Sequence, residues 1–186
     1  MKIFFDTEFT GLHKDTTLIS IGMIDENGRT FYAEFSDYDD SQCDEWIYKN
    51  VINNLKWSKE GPCENFANIH ENDWEAYGTK KYIKTILFDW LSKYDNVELV
   101  SDVCHYDMVL FIDIFGNAWT IPSNVNPACH DINQDIAKHY NMSEKEAFDY
   151  SREKILEYNY INIQGDKHNS LYDAKVIKEI YNLYNL

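Results

Sequence analysis

The 186-residue chain carries 32 Asp and Glu against 17 Lys and Arg, a formal net charge of −15. A hydrophobic fraction of 44% and an aromatic fraction of 16% exclude a disordered chain, and no apolar run reaches membrane-spanning length. The acidic balance argues against a tight grip on extended duplex nucleic acid, which calls for a basic face; short or single-stranded substrates held at one end fit better. The length predicts one domain over 1–186. Residues 1–5 lack the apolar stretch of a secretory signal, so a cytoplasmic location is expected. Cys43, Cys63, Cys104 and Cys129 form no C-x-x-C pair, which argues against a zinc cluster and a disulfide framework and makes reduced thiols the expectation.

The apolar residues 1–5 predict a strand that runs into Asp6-Thr7-Glu8-Phe9-Thr10-Gly11-Leu12. Alternate strand side chains share a face, so Asp6 and Glu8 point the same way, roughly 6 to 7 Å apart at the backbone. Two such carboxylates repel unless a proton or cation lies between them, and an oxygen-only ligand set suits Mg²⁺ or Mn²⁺. The alternative is a surface strand end with solvated acids. The Thr10-Gly11-Leu12 turn, which lets backbone approach a ligand closely, favours the first reading.

Residues 17–24 and 29–35 are β-prone, and Asn27-Gly28 between them is a hairpin signal, so the first three strands form an antiparallel meander. A helix is predicted over 41–55, with Trp46, Ile47, Val51, Ile52 and Leu55 on its apolar face and Asp39 or Asp40 as cap. Residues 56–78, broken by Gly61-Pro62, are expected to be an irregular insertion that lies over the site or covers the sheet edge. Thr79 caps a helix with an apolar stripe through Ile83, Leu87 and Trp90, its lysines 80, 81 and 84 forming a solvated face.

Residues 97–100 predict a short buried strand, and 101–115 lead from a polar turn into a helix ended by Gly116 that is apolar nearly all round. Asp107 lies inside it. A buried carboxylate needs a metal or a hydrogen-bonded structural role; Asp102 is a second candidate ligand or a helix cap. After a loop with Pro122 and Pro127, a short segment ends at His130-Asp131, and Asp131 caps a helix over 132–140. Ser143 opens a capping box and a helix to about Tyr158. A turn at Gly165 precedes the last helix, 170–183, near whose start His168 and Asp173 lie. Taken singly, neither is informative.

Together, Asp6-x-Glu8 before Thr10-Gly11-Leu12, then Tyr106-Asp107, then His168 with Asp173 five residues on, resemble the DEDDh group of 3′–5′ exonucleases. The resemblance spans nearly the whole chain. It implies an α/β, RNase H-like fold, in which an antiparallel three-strand meander and parallel strands make a mixed central sheet flanked by helices, as a single exonuclease domain over 1–186. The tyrosine form of the group needs Tyr four residues before the last Asp, where Asn169 stands, so His168 marks the histidine form. The second motif departs from the usual Asn upstream of the aromatic residue; Asp102 or Val103 occupies that region. Tyr106-Asp107 leading into an apolar helix that ends Phe115-Gly116 is also similar to the RNase AS branch, exoribonucleases associated with adenylate-rich RNA.

The resemblance implies that Asp6, Glu8, Asp107 and Asp173 hold two Mg²⁺ or Mn²⁺ ions roughly 4 Å apart, with His168 as general base. Thr7, Phe9, Thr10, Gly11 and Leu12 would receive the terminal nucleotide, Phe9 or Leu12 packing against a base. The expected substrate is the 3′ end of single-stranded RNA, or of DNA, released as nucleoside 5′-monophosphates, with no membrane partner and room for a homodimer. A nucleic-acid-binding module without catalysis is the alternative. An aspartyl phosphatase wants D-x-D, and Glu8 counts against it. His13, His70, His105, His130 and His139 are read as surface or structural.

Overall fold

The computed structural model describes residues 1–57 and 64–184. Its centre is a seven-stranded mixed sheet. Strands β1 (Lys2–Phe9), β2 (Leu18–Asp25) and β3 (Thr30–Phe35) form the expected antiparallel meander. Strands β4 (Phe66–Ile69) and β5 (Asp73–Gly78) extend it on one side, and β6 (Val97–Ser101) and β7 (Val125–Asp131) on the other. The order is β4-β5-β3-β2-β1-β6-β7, with β3/β5, β1/β6 and β6/β7 parallel. The fold is RNase H-like, as expected.

Helices cover both faces, and the pleat of β1 decides which residue meets which layer. Ile3 and Phe5 join one core with Ile83, Leu87 and Trp90 of α2 (Lys80–Leu91) and Phe111 of α3 (Cys104–Phe115); α1 (Glu45–Asn50) lies apart from it, packed on Ile19. Phe4 joins the other core, with Ile132 and Ile136 of α4 (Ile132–Tyr140), Ala147 of α5 (Glu144–Phe148), Ile155 of α6 (Arg152–Tyr158) and Ile177 and Ile180 of α7 (Ser170–Tyr184). By the same alternation Asp6 and Glu8 fall on the α7 face, and Thr7 on the α3 face.

Four sequence expectations need correction. Residues 41–55 are not one helix: a 3₁₀ turn at Asp40–Gln42 and another at Ile52–Asn54 flank the six-residue α1. Asp39 caps the first turn, whereas the carboxylate of Asp44 accepts from Ile47 N–H and starts α1 there. Residues 66–78 are not irregular but a hairpin, β4–β5, that covers the edge of β3, held by stacking of Phe66 on Tyr77 and edge contacts to Trp57. Gly61, Pro62 and Cys63 lie outside the described residues. The helix from Ser143 keeps its capping box but ends at Phe148, because Ser151 caps a new helix, α6. Asp102 does not cap α3; Val103 is the N-cap residue, without a side-chain bond.

Gly22 of β2 pairs with Asp6 of β1, and a Cβ there would lie 2.1 Å from the backbone nitrogen of Leu171. Only glycine lets the start of α7 press this closely on the sheet beside Asp6. Ser20 and Ser170 share a hydrogen bond of 2.9 Å at the same crossing. Gly22→Ala should lower stability by about 3 kcal/mol through overpacking against backbone, read as a reduced urea midpoint at unchanged slope. An unchanged midpoint would show that this approach is not constrained.

Candidate active site

Asp6, Glu8, Asp107, Asp173 and His168, drawn from β1, α3, α7 and the turn before α7, converge on one cleft of about 530 Å³. Asp107 is brought there by the first turn of α3 and is 1% exposed. Its Oδ1 accepts from the backbone N–H and the hydroxyl of Thr7, at 3.1 and 2.5 Å. Its Oδ2 accepts a short hydrogen bond from Ser101 Oγ. Asp173 Oδ2 accepts from His168 N–H at 2.8 Å, which ties the general-base candidate to the last acid through the backbone. His168 itself adopts a left-handed conformation, φ 63, that turns the chain sharply into α7.

The electrostatics are those of crowded acids. Burial pushes Asp107 up to about 7 although Ser101 and Thr7 donate to it; burial and Asp102 push Asp173 up to about 7. Asp6 is raised by burial and then by Asp107, Asp173, Glu8 and Asp102, and Glu8 by burial and then by Asp173, Asp107 and Asp102. Among the described residues, the one buried side-chain oxygen or nitrogen without a hydrogen-bond partner is Asp6 Oδ2. Carboxylate oxygens of Asp6, Asp102 and Asp107 lie within 4.8 Å of one another, as do ligand atoms of Glu8, His168 and Asp173. An oxygen-rich donor set around an orphaned buried oxygen fits hard divalent cations.

The half-buried imidazole of His168 is held below its ordinary pKa by burial and by Lys167, which favours the neutral form that can accept a proton. Its Nδ1 lies 3.9 Å from Glu8 Oε1. Trp46 meets the ring edge-on at 5.0 Å between centroids. Sequence patterning put Trp46 on a core face, yet it is 52% exposed; the break of the helix that carries it into short turns explains the difference.

Of the five residues expected to receive a nucleotide, Thr7, Phe9 and Leu12 line the cleft. Thr7 is committed to Asp107, Phe9 stacks on Tyr106 at 5.1 Å and 16°, and Leu12 is 78% exposed. Thr10 and Gly11 do not line it; they fasten the loop, Thr10 Oγ1 donating to Gln42 Oε1 and Gly11 N–H to Thr16 Oγ1. Arg152 is the residue that sequence reasoning missed. Its Nε donates to Asp102 Oδ2 at 3.0 Å, while its other nitrogens reach Asn133 Oδ1 and the carbonyls of Ala147 and Tyr150. It thereby fastens α5 and α6 to the acid cleft. The scarcity of cations was its only signal. His105 packs on Tyr106 and Phe148, and His130 contacts Asp135.

The family model of the 3′–5′ exoribonuclease Rv2179c-like domain matches residues 1–184. The chain belongs to this family. It is 26% identical over 136 residues to the 3′–5′ exoribonuclease Rv2179c of Mycobacterium tuberculosis, covering 72% of this chain and 73% of that protein. Among solved structures it resembles the nuclease domain of 3′hExo, a DEDDh family member bound to rAMP, with a TM-score of 0.62 at 15% identity, over 96% of this chain and 88% of the other. It also resembles Pop2p of S. pombe in its Mg²⁺- and Mn²⁺-bound form, with a TM-score of 0.57 at 16% identity, over 97% and 81%. By its family the chain is thus a 3′–5′ exonuclease. Among its described residues no helix is long and apolar enough to cross a membrane.

A raised carboxyl pKa means that the folded state holds a proton the unfolded chain has lost. The associated stability is complete below the ordinary value of 3.8 and is lost as pH rises through about 7. The ion-free protein should therefore melt at progressively lower temperature from about pH 5 to about pH 8. Asp6→Asn, which removes one repelling charge, should raise melting at the upper end by a few degrees. Scanning calorimetry reads both; a melting temperature that climbs over this range contradicts the argument.

Proposed function

We propose that this chain is a single exonuclease domain that removes nucleoside 5′-monophosphates from the 3′ end of single-stranded RNA in the cytoplasm. Asp6, Glu8, Asp107 and Asp173 would hold two divalent ions, Mg²⁺ or Mn²⁺. When bound, such ions supply the positive charge that activates water and offsets charge on the departing 3′ oxygen. The observation that carries this reading is the convergence of four acids from three elements on one cleft that holds the unpartnered oxygen of Asp6, with His168 beside them.

The protein groups then have separate tasks. Ser101 and Thr7 fix the carboxylate of Asp107 so that its orientation costs nothing at the moment of reaction. His168 takes the proton from the attacking water, and Glu8, 3.9 Å from its Nδ1, faces the imidazolium that results. Phe9, Leu12 and the exposed ring of Trp46 offer apolar surface for the terminal base, whose stacking is worth roughly 1–3 kcal/mol and tolerates sequence. The net charge of −15 suits a substrate gripped at its end by ions rather than along its length. Preference for RNA over DNA rests on the family, whose members are named exoribonucleases.

The test is a time course on 5′-labelled RNA and DNA oligonucleotides with Mg²⁺ or Mn²⁺. A ladder that shortens from the 3′ end, faster on RNA, is expected; oligonucleotides that stay intact with both ions would refute the reading. His168→Ala should lower kcat by about 10²–10⁴-fold with little change in KM, as loss of a general base does. Trp46→Ala should mainly raise KM.

A further inference from the structure

The three described cysteines are free, and two of them meet. Cys104, the first residue of α3, and Cys129, in β7, place their sulfurs 2.8 Å apart. Both are half-buried. Cys104 Sγ also lies 3.2 Å from the carbonyl oxygen of His130 and 3.8 Å from that of Ser101, and Cys129 Sγ lies 3.8 Å from the His130 carbonyl. A disulfide needs about 2.05 Å between sulfurs, so the bond closes with a movement of under about 1 Å.

We propose that Cys104 and Cys129 are a reversible oxidation site for hydrogen peroxide, forming a disulfide that clamps α3 to β7. One sulfur attacks a peroxide oxygen, the O–O bond breaks, and that sulfur becomes a sulfenic acid while the other oxygen leaves as water with the thiol proton. The second sulfur displaces the sulfenic hydroxyl, which leaves as water with the second thiol proton, and the S–S bond forms. The two thiols give up two electrons and the peroxide accepts them. A dithiol reductant returns the pair by exchange.

The clamp sits where the acid cleft is built. Cys104 lies one turn before Asp107, and Ser101, whose carbonyl faces Cys104, gives its hydroxyl to the Asp107 carboxylate. The link joins residues 25 positions apart, and constraint of the unfolded chain across that span should raise melting on the order of 5 °C. None of this depends on the nuclease reading.

The experiment exposes the full chain to hydrogen peroxide, alkylates remaining thiols and maps peptides by mass. The expected result is a Cys104–Cys129 linked peptide lighter by two hydrogens, its loss on treatment with dithiothreitol, and the higher melting temperature. Cys43→Ser should keep the link and Cys129→Ser should lose it. Alkylation of both Cys104 and Cys129 after peroxide, or their linkage only to other cysteines, would overturn the proposal, and the wild-type map alone suffices to show either.

Discussion

Asp6, Glu8, Asp102, Asp107 and Asp173 crowd one strand end, and much of what surrounds them offsets their repulsion. Two unit charges 4.8 Å apart, at an effective dielectric near 20, repel by roughly 3 kcal/mol, and several such pairs are present. The protein answers each acid differently. Thr7 and Ser101 donate to Asp107, the His168 backbone donates to Asp173, and Arg152 faces Asp102. Asp6 Oδ2 receives no donor. Among the described residues the fold satisfies its other buried side-chain oxygens and nitrogens and leaves this one bare, which fits the proposed cation.

The scaffold follows from putting those acids together. The pleat of β1 sends Asp6 and Glu8 toward α7 and Thr7 toward α3, so a single strand addresses both layers. Gly22 admits the start of α7, and the left-handed His168 turns into it, so the histidine arrives with Asp173 rather than independently. Thr10 and Gly11 hold the loop beyond β1 instead of lining the cleft. Stability is given up at the cleft and recovered in two apolar layers on either side of the sheet, the usual division in a site built for charge.

Much of this was legible in the sequence. The alternation of residues 1–8, the Asn27-Gly28 turn, the caps at Thr79, Asp131 and Ser143, and the three spaced motifs are local signals, and local physics reads them. What escaped depends on contacts distant in the chain. The hairpin at 66–78 is set by pairing with β3, the division of the helix at 41–55 by packing of α1 on Ile19, and the meeting of Arg152 with Asp102 by the fold, since the two lie 50 positions apart in the chain. The pairing of Cys104 with Cys129 belongs to the same class: spacing along the sequence gives no hint of it.

Carboxylate crowding around Asp6 is proposed to hold divalent cations. Calorimetric titration of Mn²⁺ into the ion-free chain, with Asp6→Asn and Asp107→Asn beside the wild type, tests it most directly. Two ions per wild-type chain are expected, with affinity lowered at least tenfold or one ion lost in each variant. Absence of binding in the wild type, or equal binding in all three proteins, would contradict it.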